Sequence, residues 1–128
     1  MSLRSPLGVA LGAGSAKEGV RHWWAQRLSA LALVLLAVWF VVSVLALPSH
    51  GYATVSAWMR QSSTAVLLIL FVVTAAWHSQ LGVRVVVEDY VHGSGMKSLT
   101  LALVTFFHVA VAVAGVFAIL KVALGGAA

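Results

Sequence analysis

The 128-residue chain has no cysteine and only three acidic residues, Glu18, Glu88 and Asp89. Without cysteine it has no disulfide framework, no ligand for an iron–sulfur cluster and no thiol nucleophile. Charged residues of both signs make up 9% of the chain, against about 25% in an average soluble domain. So few charges cannot solvate the surface of an ordinary soluble globule. Disorder is excluded as well, because it requires low hydrophobicity and high charge. What is abundant is apolar: 62% of the residues are hydrophobic and the mean hydropathy is +1.03. These figures describe a small integral membrane protein.

A helix needs about 20 apolar residues to cross the hydrocarbon core. Three uncharged windows meet this: Leu28–Leu47 with 20 residues, and Gln61–Val83 and Ser98–Leu120 with 23 each. The remaining pieces, of 27, 13, 14 and 8 residues, are too short to bury a core of their own. The expected fold is all-α and membrane-integral, with three spans. A segment 1–27 leads into a three-helix domain at 28–121, and a short tail at 122–128 follows. The opening residues are rich in Gly, Ala and Ser and do not read as a cleavable signal. Pro48, Ser49, His50 and Gly51 form a stop and turn, and Gly93, Ser94 and Gly95 mark the second connection.

Lysine and arginine set the orientation of such a protein. Arg4, Lys17, Arg21 and Arg27 precede the first span, and Arg84 and Lys97 flank the second connection on the same side. The opposite side has only Arg60 and Lys121. The N-terminus is therefore expected in the cytoplasm and the C-terminus in the periplasm, across a bacterial inner membrane. The basic residues are dispersed along the membrane edges, which is a poor pattern for nucleic acid.

Ionisable residues at membrane depth are candidates for function. His78 lies in the second span, sharing a face with Thr74 and Gly82 at intervals of four. Small neighbours let a helix or a flat ligand come close. Two readings stand side by side: a histidine hydrogen-bonded between helices, or one axial donor to a haem iron. His108 in the third span lies with Thr105, Ala112 and Gly115, and a structural hydrogen bond is its better reading. After the second span comes Glu88-Asp89-Tyr90-Val91-His92, which is either an interfacial cap or a proton-handling site in which a phenol donates to a carbonyl oxygen and a carboxylate relays protons. Trp23 and Trp24, next to Arg21 and Arg27, form an interfacial belt.

Taken together, a histidine, ten residues and then Asp-Tyr-Val-His-Gly, with His-Trp-x-x-x-Arg upstream of the first span, resemble the smaller membrane-anchor subunit of succinate dehydrogenase, respiratory complex II. The motifs lie in His22–Arg27 and His78–Gly93, and the three-span plan extends the likeness over about residues 20–121. The resemblance implies that His78 is an axial ligand of haem b. The second axial histidine would come from a partner, the cytochrome b556 subunit, with which this chain would form a heteromeric helix bundle. It implies that Tyr90 hydrogen-bonds ubiquinone, that Asp89 lines the same site, and that Arg27 contacts the haem propionates or the quinone pocket. It places His22 only in that neighbourhood and gives His108 no role. FAD and the iron–sulfur clusters would belong to the flavoprotein and iron–sulfur subunits, so the isolated chain is not expected to oxidise succinate. The family often has threonine where Glu88 stands here, and the Gly93–Met96 connection is longer than in some bacterial members. Two other readings are a haem-free fumarate reductase-type anchor that handles menaquinone, and a non-redox three-helix membrane assembly protein.

Overall fold

The computed structural model describes residues 17–125, with side chains from residue 19 on. Arg4, the rest of the first sixteen residues and the last three residues of the tail lie outside the described residues. Every regular element among the described residues is helical: α1 (Lys17–Leu45), α2 (Tyr52–Met59), α3 (Ser62–Tyr90) and α4 (Ser94–Ala123). Three of them, over Gly19–Leu45, Ser62–Tyr90 and Ser94–Ala123, are long and apolar enough to cross a membrane.

The helices differ from the apolar windows at their polar ends. Helix α1 begins some three turns before Leu28, and on the face turned to α3 its Gln26 meets Gly82 and its Ser29 meets His78. Helix α3 continues past Val83 through Asp89 and Tyr90, so the acidic run is the last turns of a helix rather than a loop. The connection shrinks to residues 91–93. Residues 48–60 are likewise not all loop: α2 occupies most of them. Pro48 ends α1, since a proline within three residues of a helix end cannot continue it. There the His50 Nε2–H donates to the carbonyl oxygen of Val44 at 3.2 Å, and the Ser49 and Thr54 hydroxyls share a hydrogen bond at 2.7 Å.

Helix α3 is the middle of the assembly. It packs on α1 along one face and on α4 along another, while no Cα of α1 comes within 8 Å of one of α4. The apolar centre lies at the α2 end, where Ala65 and Leu68 of α3 meet Ile119 of α4. Trp39 and Phe40 of α1 and Trp58 of α2 close over it, with Trp39 stacked on Trp58 at 6.2 Å and Phe40 on Phe71 at 5.4 Å between ring centroids. Only 6–11% of each spanning window is buried within the chain. Most apolar surface is therefore turned outward, where lipid or another apolar helix can cover it without penalty.

The α3–α4 approach depends on Gly115. A Cβ built there would lie 2.7 Å from Cγ1 of Val72, closer than two carbons can pack. Gly115→Leu is expected to lower the stability of the purified protein by about 1–3 kcal/mol through overpacking. A second change, Val72→Ala, should recover part of that loss. Gly95, with nothing within 4 Å, serves as the control: Gly95→Ala should stay within about 0.5 kcal/mol. Thermal melting in detergent reads all three.

Candidate functional site

A side chain that buries a polar atom in hydrocarbon must find a partner within the protein. Two polar seams do this, one on each side of α3. On the α4 side, His108 uses both ring nitrogens. Its Nδ1 is 2.7 Å from the Val104 carbonyl oxygen, which can only accept, so Nδ1 carries the proton. Its Nε2 then accepts from the Ser79 hydroxyl at 3.2 Å. Next to it, the Gln80 Nε2 amide donates at 3.1 Å to Thr105 Oγ1, whose own proton goes to the Leu101 carbonyl at 2.8 Å. Both ring nitrogens of His108 thus have partners within the chain, the structural hydrogen bonding that its surroundings in the sequence favoured.

The α1 side is built differently. Ser29, 3% exposed, donates its hydroxyl proton to the Gln26 carbonyl at 3.1 Å. His78 Nδ1 lies 2.9 Å from the Ser29 hydroxyl oxygen. Gly82, one turn further along α3, faces the Gln26 side chain, whose Nε2 would lie 3.7 Å from an added Cβ. The small residues around His78 thus admit α1. The ring of His78 is held through one nitrogen; among the described residues its Nε2 has no hydrogen-bond partner, and it is not among the buried unpaired atoms. Two other polar atoms of this seam, His22 Nε2 and Gln26 Oε1, are buried without a partner.

Beside the seam lies a cavity of about 620 Å³, lined by Arg21, His22 and Ala25 of α1 and by Trp77, Leu81, Arg84 and Glu88 of α3. Arg84 Nε pairs with Glu88 Oε1 at 2.8 Å. Arg27 is not in this lining. Its guanidinium lies over the Trp23 ring, 5.5 Å from the centroid. Arg21 and Arg84 bring guanidinium groups to the cavity, with the His22 imidazole beside them. In the sequence the two arginines stood out only as topology signals and belt residues, because nothing local shows which face of a helix will meet its neighbour.

Asp89 and Tyr90 stand at the exposed end of α3. Asp89 is eleven residues from His78, about three turns, and so falls on nearly the same face. Tyr90 is 78% exposed, and neither its hydroxyl nor the Asp89 carboxylate is engaged by another described residue of the chain. The backbone around them is pinned: the Lys97 ammonium donates to the Glu88 carbonyl at 2.8 Å, and the His92 Nδ1–H donates to the Tyr90 carbonyl at 3.1 Å. Along the helix axis, twelve residues put Tyr90 about 18 Å from His78. Among the described residues no three of His, Asp and Glu gather into a metal-ion site, so the chemistry available to His78 is that of a single imidazole donor.

Comparison with known proteins gives a consistent picture. A family model described as "Succinate dehydrogenase/Fumarate reductase transmembrane subunit" matches residues 1–119. A succinate dehydrogenase hydrophobic membrane anchor subunit of Rickettsia conorii is 32% identical over 107 residues, covering 83% of this chain and 85% of the relative. One from Paracoccus denitrificans is 31% identical over 121 residues, covering 94% and 93%. The succinate dehydrogenase membrane anchor subunit of Reclinomonas americana is 26% identical over 91 residues, covering 69% and 76%. No solved structure matches the chain.

The α4-side seam is open to a direct test. A double-mutant cycle of Ser79→Ala and His108→Leu, read by thermal melting, should give a coupling energy of about 0.6 kcal/mol and no more than about 1.7 kcal/mol, the range for hydrogen bonds between membrane helices.

Proposed function

The chain belongs to the succinate dehydrogenase/fumarate reductase transmembrane subunit family, and from that membership we propose that it is the small membrane anchor of a succinate:ubiquinone oxidoreductase that supplies one axial ligand to haem b and part of the quinone-reduction site. The observation that carries this reading is the asymmetry between the two span histidines. Every nitrogen of His108 is used inside the chain, whereas His78 keeps Nε2 open. A haem iron takes an imidazole through such an unprotonated nitrogen.

The donor set suits haem in two further respects. His22 Nε2 and Gln26 Oε1 are buried with hydrogen-bonding capacity to spare. Arg21, His22 and Arg84 line the cavity and would face the carboxylates on a haem edge, while Arg27 lies over the Trp23 ring. Haem b, held by His78 here and by a histidine of the second anchor chain, would supply a one-electron redox centre.

Quinone reduction needs two electrons and two protons per quinone. The chain has no cysteine for a cluster, so electrons come from an iron–sulfur partner docked at the Asp89 end. The Tyr90 hydroxyl donates a hydrogen bond to a quinone carbonyl, holding it in place and polarising it. The Asp89 carboxylate passes on protons taken from the water at that membrane surface. The excess of arginine and lysine at this end puts it in the cytoplasm, the side from which a soluble flavoprotein and iron–sulfur pair would dock.

Two substitutions in the assembled complex test the reading. His78→Ala should abolish or change the reduced haem spectrum, while His108→Leu leaves it intact; an unchanged spectrum in His78→Ala would move the ligand elsewhere. Tyr90→Phe should lower quinone reduction about tenfold, the equivalent of one lost hydrogen bond of about 1.4 kcal/mol. Succinate oxidation by an artificial acceptor should stay intact, and normal quinone turnover would remove Tyr90 from the site.

A further inference from the structure

Ser29 is the most deeply buried polar residue among the described ones, and nothing in the quinone or docking chemistry uses it. Its hydroxyl has one proton. That proton is directed at the Gln26 carbonyl oxygen, 3.1 Å away within α1, a common local bond for serine in a helix. What the oxygen then offers His78, 2.9 Å away on α3, is a lone pair. The ring must answer with Nδ1–H. In a neutral imidazole this leaves Nε2 unprotonated.

We infer that Ser29 is a positioning residue for His78: its hydroxyl oxygen accepts the Nδ1 proton, which fixes the ring's tautomer and rotation and presents the Nε2 lone pair to haem iron. The inference rests on the reading of His78 as an axial ligand and assigns the residue that prepares it. Four features support it. The bond joins two helices 49 residues apart in sequence, so it is set by tertiary packing. Its registry is fixed by the neighbouring approach of Gln26 to Gly82. The contrast with His108 is chemical: there Nδ1–H goes to a carbonyl and Nε2 is taken by Ser79, so the same tautomer is formed and then consumed. Finally, an acceptor on Nδ1–H makes an imidazole a stronger donor, and such outer partners commonly change metal affinity by about 10–100-fold.

A stronger donor favours ferric over ferrous iron. Losing the acceptor should therefore weaken the ferric form relative to the ferrous by about tenfold, which for one electron is a rise of about 59 mV in midpoint potential. The test uses the assembled complex with Ser29→Ala, Ser29→Cys and Ser29→Thr, read by redox titration of the haem absorption and by the electron paramagnetic resonance of the oxidised haem. Threonine keeps the acceptor and should match the parent. Cysteine, a weak acceptor of similar size, should fall between, and alanine should shift furthest in both readouts. Identical potentials and resonances in all of the variants would overturn the inference, as would a threonine variant as far displaced as the alanine one. If the alanine variant does not assemble, the cysteine–threonine pair decides on the same criterion. His78→Ala measured alongside separates the two levels: haem retained unchanged in that variant refutes the axial role itself, whereas haem lost there with no shift at Ser29 refutes only the positioning role.

Discussion

Hydrocarbon offers no hydrogen bonds, and most of what is particular about this chain follows from how its few in-span polar groups are satisfied. Among the described residues, the side-chain hydrogen bonds that join one span to another all involve α3. One face of α3 sends Ser79 and Gln80 to His108 and Thr105 of α4; another sends His78 to Ser29 of α1. Each helix–helix hydrogen bond is worth only about 0.6 kcal/mol on average. Their value is in registry: a slip of one residue would leave several polar atoms unpaired at once. Close backbone packing supports the same alignment, with Gly115 against Val72 on the α4 side and Gly82 against Gln26 on the α1 side.

The outer helices approach α3 and not each other, so the chain is an open row with much apolar surface uncovered. Such an arrangement suits a subunit better than a finished domain, since another helical chain can complete it. The proposed chemistry follows the same division. At depth, α3 holds a histidine with one nitrogen anchored and one open. At its end, three turns further on, it holds a carboxylate and a phenol that no other described residue engages. A single continuous helix thus links a candidate redox ligand to a candidate quinone contact about 18 Å away, and the two pinned carbonyls of Glu88 and Tyr90 keep its last turn from fraying.

The three spans were legible in the sequence because a run of about 20 uncharged residues has few other uses. The Pro48 stop was legible for the equally local reason that proline ends helices. The helix ends were not: α1 and α3 both extend past the apolar windows into charged and aromatic residues, which hydropathy alone does not assign to a helix. Nor was α2 anticipated, since eight residues between two spans do not stand out by hydropathy. The small, polar neighbours of His108 already favoured a structural hydrogen bond, whereas those of His78 left a packing role and a ligand role side by side. The difference lies in Ser29 and Ser79, each remote in sequence from the histidine it meets, and in how many ring nitrogens each serine leaves open. The cavity's arginines were hidden for a related reason: the same residues that weigh in the charge balance between the two ends of the spans also turn inward according to helix phase.

The central claim is that His78 offers its Nε2 to a haem iron shared with a second anchor chain. An electron cryo-microscopy map of the assembled complex tests this most directly. The account predicts a planar macrocycle between this chain and its partner anchor, with the iron on His78 Nε2 and Nδ1 still on Ser29. A His78 ring whose Nε2 is instead hydrogen-bonded to a neighbouring helix, with no macrocycle beside it, would contradict the claim.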